Sequence, residues 1–194
     1  MSHALGDTAA FDRFARFYDW FTPAADTDEL RDALSFADRD VERVLDVGGG
    51  TGRGAAALPV RERIVADAAK GMTRQARQKG FEAVRADAAN LPFDAESVDA
   101  VTIVDALHHF GSPDETIAEI ARILRPGGVL VIREIDPTTL VGRFTEAFEH
   151  RYGFDSTFFA PDELGRRVAD AGLDAKFRSN GFQYTVVGCA PQES

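Results

Sequence analysis

The sequence predicts an α/β fold built on a mostly parallel sheet that ends in an antiparallel hairpin. Two observations predict the parallel part: several short apolar runs lack polar alternation, and segments with helical spacing separate them. Strands buried on both faces have this character, and parallel strands need helical crossovers between them. The third observation is a late pair of apolar runs that meet at Asn180 and Gly181, a dipeptide typical of a tight hairpin turn.

The first 40 residues have a helical pattern. Aromatic side chains recur at spacings of three and four residues until Pro23 ends the pattern, and a second short helix follows over 28–36. The aromatic residues of the first helix are Phe11, Phe14, Phe17, Tyr18 and Phe21.

Strands and helices then alternate along the chain. Apolar runs predict strands at 44–47, 64–66, 81–86, 98–104 and 129–132. Helices are predicted at 51–58, at 70–79 and from Pro113, which suits the first position of a helix. After residue 136 come a helical segment at 140–152, a helix from Pro161 to Gly172, and the hairpin strands at 177–179 and 184–189.

The charge balance is strongly acidic. The 194 residues suit one domain of ordinary size, and 32 acidic against 22 basic residues give a net charge of −10. A direct nucleic-acid partner is disfavoured, because binding phosphates needs a basic face. Lysine occurs only three times. Either a high-GC genome or a halophile, whose proteins stay soluble at high salt through excess acid, accounts for this balance, and we favour the halophile.

Nothing in the sequence indicates export or a membrane span. No apolar run approaches the ~18 residues of a membrane helix, and the first residues lack the pattern of a signal peptide. Cys189 is the single cysteine, so it has no internal disulfide partner. We therefore expect a cytoplasmic protein, and the sequence leaves open whether it is a monomer or a homodimer.

Three acidic residues stand at or just past the ends of three successive predicted strands: Asp46, Asp67 and Asp87. In an open α/β sheet, ligands bind outside the carboxyl ends of the strands, so these carboxylates should line one crevice. The glycine-rich stretch 48–52 lets the backbone pass close to a ligand. Asp67 comes 17 residues after Gly50, at the end of the second strand, where a carboxylate can accept both hydroxyls of a ribose.

Two nucleotide cofactors are compatible with this loop. The stretch from Gly50 to Ala55 matches the G-x-G-x-x-A form of the dinucleotide fingerprint, so an NAD-dependent oxidoreductase is one alternative. Asp46, however, places a negative charge just before the loop, where it would oppose a pyrophosphate and favour a cation. S-adenosylmethionine (SAM) carries a sulfonium and an ammonium group but no phosphate, so we favour SAM.

The stretch from Val44 to Gly52 resembles the first motif of class I SAM-dependent methyltransferases. Further stretches at 66–72, 86–93, 98–101, 106–109 and 122–128 are similar to small-molecule methyltransferases of the ubiquinone/menaquinone-biosynthesis type (methyltransferase domain 11-like). The resemblance covers roughly residues 10–135. It implies a Rossmann-like three-layer sandwich with a seven-stranded sheet in the order 3-2-1-4-5-7-6. It also implies one SAM-binding domain over 1–194, with an N-terminal helical lid at 1–40 and a lid insertion at 136–160.

The same resemblance assigns residues to the cofactor. The glycine loop would wrap the methionine part, Asp46 would hold its amino group, Asp67 would bind the ribose, and Met72 and Asp87 would contact the adenine. The other positions it implies are Tyr18, Gly48, Gly49, Gly50, Gly52, Ala68, Ala88, Val104 and Asp105. S-adenosylhomocysteine would be the product, and we predict no bound metal.

Methyl transfer from a sulfonium is an in-line displacement, so the protein mainly aligns the two reactants and excludes water. If the acceptor needs a general base, the candidates after the fourth strand are Asp105, His108 and His109, and a reaction without a base stays open. A SAM-binding module without activity is a further alternative. Aromatic residues of the 136–160 insertion suggest an apolar or aromatic acceptor: Phe144, Phe148, Tyr152, Phe154, Phe158 and Phe159.

Overall fold

The structure is a computed structural model that describes residues 27–192. The predicted first aromatic helix, including Tyr18, therefore lies outside the described residues. The helices are α1 (Thr27–Leu34), α2 (Arg53–Ala57), α3 (Lys70–Gln78), a 3₁₀ turn (Leu107–His109), α4 (Pro113–Ile123), α5 (Leu140–Arg151) and α6 (Pro161–Asp170). The strands are β1 (Arg43–Val47), β2 (Glu62–Asp67), β3 (Glu82–Arg85), β4 (Val98–Val104), β5 (Leu124–Ile135), β6 (Asp174–Asn180) and β7 (Gln183–Cys189).

The strands pair into one sheet in the order β3-β2-β1-β4-β5-β7-β6. The first five strands in this order are parallel to one another, whereas β7 runs antiparallel to both β5 and β6. The predicted α/β class, strand order and C-terminal hairpin are confirmed. The carboxyl ends of β1, β2, β3 and β4 consequently lie side by side at one edge of the sheet.

Helices cover the sheet on both faces, which explains the uninterrupted apolar runs. On one face Leu30 and Leu34 of α1 pack in one cluster with Val129 of β5. On the other face Ile117 of α4 and Leu164 of α6 belong to a larger cluster that includes residues of β1, β4 and β5. The central strands are thus buried from both sides, as a helix–sheet–helix arrangement requires.

The strands β5 and β6 extend furthest beyond their predicted limits. β5 begins at Leu124 rather than at residue 129, because Leu124 already pairs with Val98 before the register shifts to Ala100 opposite Val129. Gly127, with a φ of +73°, accommodates this irregularity. β6 covers 174–180 rather than 177–179, since it pairs with β7 along its whole length. It lies at the edge of the sheet with mostly exposed side chains and so lacks an apolar run.

Over residues 27–192, no helix combines the length and the apolar character that crossing a membrane requires.

Candidate functional site

A cavity of about 760 Å³ lies at the carboxyl ends of the parallel strands. We call it the main cavity. Residues following β1, β2, β3 and β4 line it together, among them Gly50, Asp67, Asp87 and Asp105. Its size falls in the range of small-molecule and cofactor sites. The topology thus brings Asp67 and Asp87 into one cavity as predicted, whereas the prediction that Asp46 lines the same crevice is wrong.

The glycine loop after β1 needs its glycines for both conformation and space. Gly48, Gly50 and Gly52 have φ values of +68°, +57° and +87°, which side chains disfavour. A Cβ on Gly48 would also lie 2.8 Å from the Phe110 ring, and a Cβ on Gly52 would lie 2.6 Å from the Phe81 ring. At Gly50 the loop surface is open, because a Cβ there would meet only the Met72 sulfur, at 3.8 Å.

Asp46 lies beneath this loop and is fully buried. Its Oδ1 accepts a hydrogen bond from the Thr102 hydroxyl and its Oδ2 accepts one from the Ala55 N–H, both at 2.9 Å. Burial raises the pKa of the carboxyl to about 6. A Cβ on Gly49 or Gly54 would approach Oδ2 to 2.5 or 2.8 Å, so both glycines are required for the carboxylate to fit.

A second, smaller cavity of about 370 Å³ adjoins the loop. Asp46, Gly49 and Val104 line it, together with the side chains of Arg53 and Arg133. Three of the predicted cofactor positions therefore meet here rather than in the main cavity.

Asp67 and Asp87 anchor the backbone around the main cavity. Asp67 Oδ2 accepts a hydrogen bond from Gly50 N at 2.9 Å, and its Oδ1 accepts one from Ala69 N at 2.8 Å. Asp87 Oδ1 accepts one from Ala89 N at 3.1 Å. Asp67 thus ties the glycine loop to the end of β2, and both carboxylates line the main cavity.

One wall of the main cavity is apolar. Met72 of α3 is 2% exposed and lies beside Ala68, Ala88 and Leu91 in this wall. Small side chains next to a flexible thioether form a smooth surface on which a flat ring system can pack. The predicted positions 68, 72 and 88 are therefore brought together.

The structure separates the three candidate bases. Asp105 and His109 line the main cavity, whereas His108 is buried behind it with Nδ1 2.6 Å from Glu134 Oε2. Burial by itself lowers the pKa of His108, but the charge of Glu134 and the hydrogen bond to it outweigh burial, so the pKa is raised. The His108 ring also stacks on Phe158, with centroids 4.3 Å apart.

Asp105 is held in an unusual backbone conformation. Its φ is +50°, in the left-handed region that aspartate tolerates better than most side chains. The carboxylate accepts a hydrogen bond from Arg133, which is 6% exposed and extends from β5. Burial raises the pKa of Asp105 despite the opposing charge of Arg133.

Sequence reasoning missed the side chains that contact Asp105, His108 and His109. Arg133 and Glu134 are adjacent charged residues inside the apolar run of β5, and this interruption was the available signal. Ser156, whose Oγ lies 3.2 Å from His109 Nδ1, gave no signal, because it comes from the connection after α5.

The aromatic residues of the 136–160 insertion do not line the main cavity. Phe144 and Tyr152 are 72% and 68% exposed, whereas Phe158 and Phe159 are buried in packing contacts. Among the described residues, the aromatic ring that lines the main cavity belongs to Phe110. Support for an aromatic acceptor within the described structure therefore rests on Phe110.

Comparison with known proteins identifies relatives. The family model described as "Methyltransferase domain" matches residues 45–132, from β1 to the middle of β5. A demethylmenaquinone methyltransferase of Clavibacter sepedonicus is 40% identical over 111 residues, which cover 53% of this chain and 45% of that protein. The ubiquinone/menaquinone biosynthesis C-methyltransferase UbiE of Pseudomonas putida strain W619 is 31% identical over 170 residues, covering 70% of this chain and 66% of the relative.

The aligned stretch thus spans less than two thirds of the length of either relative. Among solved structures, a SAM-dependent methyltransferase of Thermotoga maritima, described as a possible histamine N-methyltransferase, superposes with a TM-score of 0.78 at 23% identity. That superposition covers 94% of this chain and 98% of the other, so the two share the fold.

Proposed function

This chain belongs to the methyltransferase domain family of SAM-dependent enzymes, and from that premise we propose that it transfers a methyl group from SAM to a small, apolar or aromatic metabolite. One observation carries the proposal: an open glycine loop and two strand-end carboxylates, Asp67 and Asp87, surround a single cavity with an apolar wall. The menaquinone and ubiquinone methyltransferases among the relatives support an apolar acceptor.

The residues present fit SAM. We assign the ribose hydroxyls to the Asp67 carboxylate and the adenine amino group to Asp87, and the proposal is supported by the fact that both residues line the main cavity. Met72, Ala68 and Ala88 offer the surface on which the adenine packs. When bound, SAM supplies an electrophilic methyl group on its sulfonium.

The smaller cavity suits the methionine part. Asp46 places a negative charge beneath the loop, which favours a cationic amino group, and Arg133 and Arg53 lie in the same cavity for a carboxylate. The contribution of Tyr18 stays a prediction, because this residue lies outside the described structure.

We assign the acceptor to the part of the main cavity that Asp105, His109 and Phe110 border, and call it the acceptor end. These three side chains would contact an acceptor. His108 is buried behind the cavity and would not contact it. The protein aligns the acceptor with the methyl group and excludes water. We assign that exclusion to lids at 136–160 and at 1–40 within one SAM-binding domain. Support comes from Thr157, whose N–H donates to the His108 carbonyl at 2.7 Å and so fixes the insertion against the site.

Labelled methyl transfer tests this function. The chain is incubated with methyl-labelled SAM and a fractionated metabolite extract. We expect the label to appear in a small molecule that partitions into organic solvent, and Asp67→Ala to abolish it. SAM binding without any transfer would instead make the chain a non-catalytic binding module. Label found only on macromolecules would contradict the small-molecule acceptor.

We further propose that the protein works in a salt-rich cytoplasm. Its charge excess lies on the surface, since acidic residues in loops and at helix starts are exposed: Asp28, Asp38, Asp40, Asp94, Glu96, Asp114 and Glu115. Only three of the 32 acidic residues belong to the proposed cofactor site, namely Asp46, Asp67 and Asp87. The excess of acidic residues is therefore not a property of the substrate site.

A further inference from the structure

A cluster of metal-ligating side chains lies beside the acceptor end of the main cavity, which one of them, His109, lines. His108, His109 and Glu149 each offer one ligand atom, and these atoms all lie within 4.8 Å of one another. The two histidines come from the 3₁₀ turn after β4, whereas Glu149 comes from the last turn of α5. Glu149 has no role in the proposed SAM contacts, and neither does the cluster as a whole.

Glu149 has a buried oxygen with no hydrogen-bond partner in the described part of the chain. That oxygen is Oε2, while Oε1 lies 3.7 Å from His108 Nε2, which is too long for a hydrogen bond. Leaving a buried carboxylate oxygen without a partner is costly. A cation placed among the three side chains would remove this cost.

The neighbouring residues orient the ligands as they do in metal sites. A histidine that binds a metal through one ring nitrogen commonly uses the other to hydrogen-bond a carboxylate or another polar group. His108 Nδ1 makes this contact with Glu134 at 2.6 Å, which turns Nε2 towards Glu149. His109 is similarly fixed by Ser156 at 3.2 Å.

We propose, in contrast to the sequence-based prediction of no bound metal, that His108, His109 and Glu149 bind one zinc-class divalent cation beside the acceptor end of the main cavity. Two imidazoles and one carboxylate form a ligand set used by catalytic zinc sites, which keep a fourth position open. Two atoms that share a tetrahedral Zn²⁺ lie roughly 3.4 Å apart, so the 3.7 Å between His108 and Glu149 needs little movement.

The position of the site suggests which acceptors it serves, an extension that rests on the proposed function. His109 lines the main cavity, so a cation bound to it would lie next to the acceptor. A hard or borderline cation prefers oxygen and nitrogen ligands. Acceptors that carry a phenol or enol oxygen are therefore favoured over purely hydrocarbon ones.

Zinc binding by the full-length chain, measured without SAM, tests the site. The chelator-treated protein is titrated calorimetrically with Zn²⁺ alone, and Co²⁺ is added separately to read the visible absorption of a four-coordinate ion. We expect one tightly bound ion per chain, and we expect Glu149→Gln and His109→Gln each to weaken Zn²⁺ affinity at least about tenfold.

Glu146→Gln is the matched control, because residue 146 lies on the same helix outside the cluster. It should bind Zn²⁺ like the unmodified chain. Absence of stoichiometric binding, or unchanged affinity in both cluster variants, would overturn the site and leave the three side chains as a contact between α5 and the 3₁₀ turn. Since no SAM is present, either result is independent of whether the proposed methyl transfer is correct.

Discussion

At the scale of single residues, Asp46 shows how closely the fold controls one charge. Its carboxylate is fully buried and accepts one hydrogen bond at each oxygen, yet burial still dominates and raises its pKa to about 6. The carboxyl is therefore mostly ionised at neutral pH and protonated in mild acid. This places a titrating group directly beneath the glycine loop.

Replacing Asp46 by asparagine should change how stability depends on pH. The folded-state pKa is raised above the unfolded value, so the folded chain binds the proton more tightly. The destabilising effect of this carboxyl is absent below about pH 3.8 and fully present above about pH 6. The free energy of unfolding of the unmodified chain, relative to Asp46→Asn, should thus fall by roughly 3 kcal/mol across this interval.

Urea unfolding at a series of pH values measures this difference. Asp40→Asn serves as the control, because Asp40 is exposed, and its curve should run parallel to that of the unmodified chain. Parallel curves for Asp46→Asn as well would show that Asp46 is not buried in this way.

The sequence alone was sufficient to locate Asp67 and Asp87, because parallel strands place their carboxyl ends at one edge whatever the side-chain packing. It could not reveal that His108 is buried behind the cavity. That depends on Glu134, which is 26 residues away in the chain and reaches His108 only because β4 and β5 are paired.

At the scale of elements, comparing Gly52 with Gly80 separates backbone strain from displacement of the loop after β1. Gly52 and Gly80 have similar φ values of +87° and +91°, but a Cβ on Gly52 would strike Phe81 while a Cβ on Gly80 would meet nothing within 4 Å. Both replacements by alanine impose the left-handed conformation on a side chain, at about 1–2 kcal/mol each. Only one of them also displaces the loop.

Gly52→Ala should therefore destabilise the chain by about 1–3 kcal/mol more than Gly80→Ala and should weaken SAM binding, because the loop has to move away from Phe81. Gly80→Ala should bind SAM normally. Denaturant unfolding and SAM titration of the two variants measure both effects, and equal SAM affinity would argue against a cofactor role for the loop.

Strand order was predictable, whereas strand limits were less so. The apolar runs of the central strands follow from burial on both faces and indicated β1 and β4 directly. The edge strand β6 has mostly exposed side chains, so only its pairing with β7 defines its length. The early start of β5 at Leu124 likewise depends on pairing with Val98, which no local pattern reveals.

At the scale of the whole molecule, the net charge of −10 should make stability depend on salt. Exposed carboxylates repel one another, and dissolved ions screen that repulsion. If the surface is adapted to high salt, the midpoint of thermal unfolding should rise steeply as KCl increases into the molar range.

A variant with four exposed carboxylates neutralised, Asp40→Asn, Asp94→Asn, Glu96→Gln and Glu115→Gln, should show a shallower rise in the same thermal scans. Equal insensitivity of both proteins to KCl would leave base composition of the genome as the reason for the lysine-poor sequence.

Calorimetric titration with SAM and, separately, with NAD tests the central claim most directly. We expect one SAM to bind per chain, S-adenosylhomocysteine to compete for the same site, and NAD not to bind. Asp67→Ala should weaken SAM affinity at least about tenfold, since the proposed hydrogen bonds to the ribose and the hydrogen bond from the Gly50 N–H are lost, while the exposed-site control Asp40→Ala should not. Tight binding of NAD without SAM binding, or unchanged SAM affinity in Asp67→Ala, would contradict the assignment of this cavity to SAM.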